Sequence, residues 1–179
     1  MNWQEDLRFI CTTLDANLRY AEGKHTSFIA FNGAAIFGGL TLLRNLNPQT
    51  SGILYGILLL TLLMLICAII SSIYSFFPKI IKQMESNAGE SCGNVLFFEH
   101  VKYHSLESYA QLLCEKYHFN PDEILPLDEC IISQIIVNAR LASRKFALFK
   151  LVAFFDFTAV IMGLGGFVLA TILKTLGVA

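Results

Sequence analysis

One segment, residues 53–77, restricts the fold of this chain more than any other. It contains twenty-five consecutive residues without a charged side chain. A helix of that length rises about 1.5 Å per residue and can cross the ~30 Å hydrocarbon core of a bilayer. A helix at the surface of a soluble protein is apolar on one face, whereas this segment is apolar on all sides. We therefore predict a transmembrane helix at residues 53–77.

Two more segments have the same character. Residues 27–44 carry no charge before Arg44, and residues 151–173 are interrupted only by Asp156. The turn at 45–50 is too short to hold a domain, so the first two spans form a hairpin. Small residues on the first and third spans allow close helix packing and favour oligomers. They are Ala34, Ala35, Gly38 and Gly39 on the first span, and Ala159, Gly163, Gly165, Gly166 and Ala170 on the third.

Composition agrees with a small membrane protein. Of the 179 residues, 55% are apolar and only 15% are charged, and the length suits one compact unit. The net charge of −1 argues against a nucleic-acid-binding protein and against a strongly basic membrane-surface protein. Five cysteines without a CxxC pair predict free thiols rather than disulfides or a zinc ribbon.

The segments outside the spans are predicted to be helical. Residues 1–26 place apolar side chains at helical spacing. That face could lie on the membrane surface or pack on another helix, and the mixed charges opposite it favour packing. Within residues 78–150, Ser105 is predicted to cap a helix that ends at Tyr117.

Two further features concern the same region. Asn120 to Glu123 form a second helix-start signal, and from Asp128 the pattern continues as one helix into the third span. Between residues 85 and 104, helix and strand signals conflict. The fold class is therefore an all-α membrane protein, with three transmembrane helices and long helices that extend into a small helical cytoplasmic domain.

The distribution of positive charge predicts the orientation. Eleven of the thirteen Lys and Arg residues lie in segments 1–26 and 78–150. The positive-inside rule places these segments in the cytoplasm and the C-terminus in the periplasm.

Two polar residues lie inside the predicted spans. Asn32 is expected to bond across to a neighbouring helix. Asp156 lies about 9 Å of helix beyond Lys150. An acidic group at that depth either faces a cavity or basic partner with a functional role, or forms a structural ion pair near the interface with Arg19 or Lys24.

A cluster of cations occurs near the start of the third span, at Arg140, Arg144, Lys145 and Lys150. On charge alone, contact with anionic lipid headgroups is the favoured interpretation. The alternative is an anion pocket in which arginine binds phosphate in a bidentate manner. Gln134 and Asn138, on nearby turns, could then contact a base.

We expect no enzymatic activity, no cofactor and no bound metal. No nucleophile is paired with a base, and no Walker loop or pair of carboxylates is present. His100, His104, Cys114 and His118 have spacings that zinc sites use, but no His-Glu-x-x-His motif accompanies them. Interface or surface histidines are the favoured interpretation.

Several segments, in order, resemble the transmembrane effectors of bacterial Pycsar anti-phage systems. The resemblance covers roughly residues 14–170. The segments are Leu18 to Lys24 running into Phe28 to Ala34, Asn94 to Phe98, Ser105 to Tyr109, and Gln134-Ile135 leading to Ser143 to Phe146.

This resemblance implies an effector of the bacterial inner membrane. A neighbouring cyclase would supply cyclic CMP or cyclic UMP, and the effector would impair the membrane and cause abortive infection. Homo-oligomers are expected, and no nucleic acid partner is. Ligand contact is mapped by the resemblance to Lys24, Asn94, Arg144 and Lys145, and Arg140 is added from its charge.

Two rival interpretations stay open. The first is an accessory or scaffold membrane protein that assembles through its helices and binds no nucleotide. The second is an intramembrane metal hydrolase that uses His100, His104 and His118. An adjacent cyclase gene favours the effector, and zinc well below one per chain excludes the hydrolase.

Overall fold

The computed structural model describes residues 3–46, 52–77 and 94–175. These ranges form five α-helices and one 3-10 turn, and they contain no β-strand. The helices are α1 (Trp3–Asn45), α2 (Gly52–Phe76), α3 (Phe98–Val101), α4 (Leu106–Tyr117) and α5 (Pro126–Thr175), and the 3-10 turn is Pro121–Glu123. The predicted all-α membrane class is confirmed, because α1, α2 and α5 are each long and apolar enough to cross a membrane.

Two of these helices are much longer than a single membrane span. α1 has 43 residues and α5 has 50. α1 contains no proline, and the one proline of α5 occupies its first position, where a missing N–H group has no cost. The described part of segment 1–26, from Trp3, therefore lies on one helix with segment 27–44. The helix predicted from Asp128 begins two residues earlier, at Pro126.

The chain divides into two compact units. Unit 1 comprises Met1–Glu22 and Pro78–Ala147, and unit 2 comprises Gly23–Phe77 and Leu148–Ala179. α1 and α5 therefore each contribute residues to both units, whereas α2 belongs to unit 2 and α3 and α4 belong to unit 1.

Unit 1 is built around an apolar core. From α1, the side chains of Trp3, Leu7, Ile10 and Leu14 are buried. They share one cluster with residues of α3, α4 and α5, namely Val101, Tyr109, Leu113, Cys114, Ile132, Ile135, Ile136 and Ala139. Each fully buried aliphatic side chain contributes about 1.5–3 kcal/mol relative to exposure. The apolar face of residues 1–26 therefore packs on other helices, as the mixed charges of its polar face predict.

The N-termini of α4 and α5 are capped by side chains. Ser105 Oγ accepts from Ser108 N at 3.2 Å, and Ser108 Oγ accepts from Ser105 N at 2.9 Å, which forms a capping box. The helix predicted between Ser105 and Tyr117 is thus confirmed. At the start of α5, the buried Asp128 carboxylate accepts from Leu125 N at 3.2 Å and from the Trp3 indole at 3.3 Å.

The start signal at Asn120 to Glu123 produces a 3-10 turn rather than an α-helix. Leu125 precedes Pro126, and a residue before proline is disfavoured in the α conformation. The helix therefore cannot run from Pro121 into α5. Residues 94–104 contain the short helix α3 and no strand. The rest of the ambiguous segment, 85–93, lies outside the described residues.

The helices of unit 2 approach closely at glycines. A Cβ added to Gly39 would lie 2.6 Å from Leu62 Cδ2, and one added to Gly166 would lie 3.0 Å from Ile57 Cγ2. Gly38 and Gly165, by contrast, face open space. The predicted small-residue faces are therefore used in part for packing within the chain.

Large apolar side chains cover the outer surface of unit 2. Phe37 is 78% exposed and Phe167 is 72% exposed. Side chains this apolar and this exposed are suited to contact with lipid rather than water. Because the hydrocarbon offers no hydrogen-bond partner, hydroxyl groups bond back to their own helix: Thr61 Oγ1 donates to Ile57 O at 2.9 Å, and Ser71 Oγ donates to Cys67 O at 2.8 Å.

Replacing Gly166 by Leu should destabilise the protein, because the new side chain overlaps Ile57. We expect a loss of ~1–3 kcal/mol, the usual cost of overpacking. Gly165→Leu is the matched control, because it gains the same helix propensity one residue away in open space. Thermal unfolding of both variants in one detergent measures the difference, and equal melting temperatures would contradict the packing described for Gly166.

Candidate functional site

The segment that contains α3 lies against α5 within unit 1. The rings of Phe98 and Phe146 stack with centroids 5.0 Å apart. The Arg140 guanidinium donates from Nε to Lys102 O at 3.0 Å and from Nη2 to His104 O at 3.1 Å. Arg140 therefore satisfies backbone carbonyls that follow α3, and it holds residues 98–104 on α5.

A second set of polar contacts joins the same two elements. Ser143 Oγ donates to Glu99 Oε1 at 2.7 Å, and Lys102 Nζ donates to Ser143 Oγ at 2.9 Å. Lys102 also forms an ion pair with Glu99. Burial lowers the pKa of Lys102, but the hydrogen bond and charge of Glu99 outweigh it, so the net pKa is raised. The Lys102 ammonium is therefore charged at neutral pH.

Lys145, a predicted ligand residue, is part of an ion pair. Its Nζ lies 2.5 Å from Glu22 Oε1, and only 12% of the Lys145 side chain is exposed. This contact joins α5 to α1 within unit 1. A partly buried pair of this kind leaves an uncompensated charge if one member is removed.

The remaining predicted ligand residues are distributed over both units. Arg144 is half-buried in unit 1, one turn after Arg140. Asn94 is exposed, and its Oδ1 accepts from Leu96 N at 3.0 Å in a local turn. Lys24 belongs to unit 2, where its Nζ lies 4.7 Å from the centre of the Phe149 ring.

Four cations of unit 1 lie on α5 or on the segment packed against it, namely Lys102, Arg140, Arg144 and Lys145. Lys102 forms an ion pair with Glu99, and Lys145 forms one with Glu22. The guanidinium groups of Arg140 and Arg144 are of the kind that binds an anion in a bidentate manner. Gln134 and Asn138, considered above as base contacts, bond to each other at 2.8 Å, and Asn138 is buried.

Cys11 and Cys114 do not have the environment of nucleophilic thiols, and His104 does not have that of a metal ligand. Burial raises the pKa of Cys114, and burial together with the charge of Asp15 raises the pKa of Cys11, so both thiols are protonated at neutral pH. His104 is buried and its Nδ1 lies 3.2 Å from Ser108 Oγ. Within residues 3–46, 52–77 and 94–175, no three His, Cys, Asp or Glu side chains converge as metal ligands do.

The two polar residues predicted inside the spans are neighbours in unit 2. Asn32 is fully buried, Asp156 is 6% exposed, and the Asn32 amide interacts with the Asp156 carboxylate. Asn32 therefore lies beside a neighbouring helix as expected, but its amide forms no hydrogen bond of normal geometry there. Arg19, one of the two cations considered as a partner for Asp156, forms an ion pair with Asp15 at 3.1 Å.

Sequence reasoning missed the contacts made by Glu99, Lys102 and Ser143. Ser143 lies 44 residues from Glu99 and 41 from Lys102 in the chain, so no local spacing links them. Reasoning from charge did find Arg140, but not its use as a donor to backbone carbonyls.

Comparison with known proteins assigns the family. The model of a family described as "Pycsar effector protein domain" matches residues 6–174 of the chain. The chain belongs to this family. The family membership confirms the resemblance drawn from the sequence motifs. No curated protein and no solved structure matches the chain.

The match to the Pycsar effector family covers nearly all of the described helices of both units. Membership of the family indicates an effector of anti-phage defence that responds to a cyclic pyrimidine signal made by a cyclase. Together with the three apolar helices, it indicates a protein of the inner membrane.

Arg140→Gln should destabilise unit 1 even without ligand, because two backbone carbonyls lose a charged donor. A hydrogen bond to a charged group contributes about 1.5–3 kcal/mol, so a loss of that order is expected. Lys116→Gln on α4, which removes an exposed cation, is the matched control. Thermal unfolding followed by circular dichroism measures both. An unchanged melting temperature in Arg140→Gln would show that the guanidinium does not hold residues 98–104.

The stability of the protein should fall as pH drops below about 6.5, in part because of His104. Burial and the nearby His100 lower the pKa of His104 in the folded state. The unfolded chain therefore takes up the proton first, and folding loses free energy as pH falls from about 6.5 towards the folded pKa. His104→Gln should flatten melting temperature against pH in that window. His118→Asn, an exposed position with φ of 54°, should not.

Proposed function

We propose that this chain is a membrane effector that cyclic CMP or cyclic UMP activates to impair the inner membrane and cause abortive infection. The observation that carries the proposal is the family match, which extends over residues of both units. In this proposal the protein acts by binding and rearrangement, without a catalytic step. Unit 1 is the sensor and unit 2 carries out the membrane step.

The sensor is assigned to unit 1 because Arg140, Arg144 and Lys145 lie within two turns of one another on its part of α5. A cyclic nucleotide carries one phosphate charge, and arginine suits bidentate contact with phosphate oxygens. Arg144 and Lys145 are the proposed phosphate contacts, with Asn94 and Arg140 as further ligand residues of unit 1. Lys24, to which the resemblance also maps ligand contact, belongs to unit 2. Arg140 has a second role, because it already bonds to the backbone after α3.

Activation is proposed to be a population shift. A ligand can change the arrangement of the helices only through its differential affinity for two arrangements. α1 and α5 continue without a break from residues of unit 1 to residues of unit 2, so no flexible linker would absorb a change in unit 1. The proposal includes homo-oligomers, with the N-terminus and residues 78–150 in the cytoplasm and the C-terminus in the periplasm.

The first test is the thermal stability of the purified protein with cyclic CMP, cyclic UMP, cyclic AMP and cyclic GMP. A ligand at 100 times its dissociation constant stabilises the folded state by ~2.7 kcal/mol, which is several degrees. We expect a shift with one cyclic pyrimidine and none with the purines. If none of the four shifts the melting temperature in detergent or in nanodiscs, direct sensing by this chain is wrong.

The ligand residues are tested by charge removal with paired controls. Arg144→Gln should lower the affinity for the cyclic pyrimidine by ~10-fold or more, since a charge-assisted hydrogen bond contributes about 1.5–3 kcal/mol. The loss is read from the smaller thermal shift at equal ligand concentration. For Lys145, the double variant Glu22→Gln/Lys145→Gln avoids leaving the Glu22 carboxylate without its ion-pair partner. Lys116→Gln should leave affinity unchanged. Full affinity in both test variants would place the nucleotide elsewhere.

A further inference from the structure

The interior of unit 2 contains polar side chains from all three of its helices. α1 contributes His25 and Asn32, α2 contributes Ser72 and Ser75, and α5 contributes Asp156; each is at most 6% exposed. Polar and acidic groups inside a membrane-spanning bundle are costly and commonly line the paths of ions. We refer to these five side chains as the polar column.

Contacts within unit 2 set the relative levels of α1 and α2. Gly39 lies opposite Leu62, and the His25 ring lies 6.3 Å from that of Phe76. The two helices are therefore antiparallel. Counting residues along both helices from these contacts places Asn32 close to the level of Ala68. Ala68 is fully buried, and its side chain is too small to fill the space between the helices.

The level of α5 follows in the same way. Gly166 lies opposite Ile57 and Gly163 lies opposite Thr61, so α5 is antiparallel to α2. The same count places Asp156 at the level of Ala68. Asn32 and Asp156 are in contact, which agrees with both counts. Ser72 then lies one turn from this level, and Ser75 and His25 lie about one turn beyond Ser72. The column thus extends along about 10 Å of helix.

The inner members of the column have no hydrogen-bond partners among the described residues. These atoms are both carboxylate oxygens of Asp156, both amide atoms of Asn32, and Ser72 Oγ. The Asn32 amide interacts with the carboxylate but does not complete a hydrogen bond of normal geometry. Other hydroxyls of unit 2, such as that of Thr158, bond back to their own helix. Burying a polar group without a partner costs ~1–3 kcal/mol, and more for a charge.

Two grooves between the helices of unit 2 lie beyond the end of the polar column that is farther from His25 and Ser75. One of about 340 Å³ is lined by residues that include Ala35, Gly39 and Ala159, about one turn from Asn32 and Asp156. A second of about 280 Å³ follows it and shares Thr61 with it. Small residues on both α1 and α5 keep this part of the bundle open.

We propose that the polar column is the route by which small monovalent cations pass through the activated effector, and that Asp156 makes this route cation-selective. A carboxylate, an amide carbonyl and a hydroxyl are oxygen ligands of the kind that alkali ions and hydrated protons accept. An acidic group in a low-dielectric surrounding attracts cations and excludes anions. The inference rests on the proposed function in that it requires the membrane step to be permeation.

The first test measures selectivity in planar bilayers that contain the purified protein, with cyclic CMP or cyclic UMP added. Wild-type protein should pass K⁺ at least ~10-fold better than Cl⁻, because a buried carboxylate concentrates counter-ions by that order. Asp156→Asn should reduce this ratio to about one, while Asp156→Glu keeps it. Asp15→Asn, an acid of unit 1, is the matched control. A proton gradient across vesicles with an internal pH dye distinguishes proton flux from K⁺ flux.

Misfolding does not confound this comparison. Asp156→Asn keeps the shape of the side chain and removes a buried charge, so it should leave stability unchanged or raise it. If wild-type currents are unselective, or if Asp156→Asn keeps the wild-type selectivity, the cation route is wrong although permeation itself stands.

A second measurement needs no nucleotide. The thermal stability of the purified protein is compared in KCl, NaCl and choline chloride at equal ionic strength. If K⁺ or Na⁺ stabilises the wild-type protein and Asp156→Asn abolishes this stabilisation, the result supports the polar column as a cation site. This support would stand even if no nucleotide opened the protein and the proposed function failed. Equal melting temperatures in all three salts, with no proton flux that depends on Asp156, would overturn the inference.

Discussion

The need to satisfy hydrogen bonds where no water is present governs the membrane-spanning unit. Backbone groups are satisfied by continuous helices, and the hydroxyls of Thr61 and Ser71 bond to carbonyls of their own turns. Asn32, Ser72 and Asp156 do not follow this rule, because their polar atoms face the interior without partners. The close approach of helices at Gly39 and Gly166 supplies packing energy that offsets part of this cost.

Unit 1 is stabilised by different interactions. Its core is an apolar cluster, and the N-termini of α4 and α5 are capped by Ser105, Ser108 and Asp128. The cations that suggest an anion site also stabilise this unit, since Arg140 bonds to two carbonyls and Lys145 pairs with Glu22. An anion that competes for these groups would loosen residues 98–104 from α5. Ligand binding and a change in local structure would then be the same event.

Family membership and geometry answer different questions about this chain. Membership identifies a Pycsar effector and therefore the class of signal. The contacts of unit 1 identify structural roles for Arg140 and Lys145, so a test of ligand contact at these residues needs a stability control beside it. The interior of unit 2 contains buried polar atoms without hydrogen-bond partners, which membership alone does not describe.

Local patterns were enough to predict the elements. The uncharged run at 53–77 became α2, Ser105 became a helix cap, and the apolar face of the first turns of α1 packed as its spacing indicates. These features depend on hydrophobicity and capping, which act over a few residues. The exception was Asn120 to Glu123, where Pro126 prevents the helix from continuing.

Tertiary structure decided the polar contacts. Lys145 meets Glu22 from 123 residues away, Arg140 meets carbonyls 36 and 38 residues earlier, and Asn32 and Asp156 lie on different helices. The sequence by itself determined that Asp156 is an acid inside an apolar helix, and hence that it is costly. Which groups surround it depends on the register of three packed helices, and that register is set by side-chain shape at positions such as Gly39 and Ile57 rather than by any local pattern.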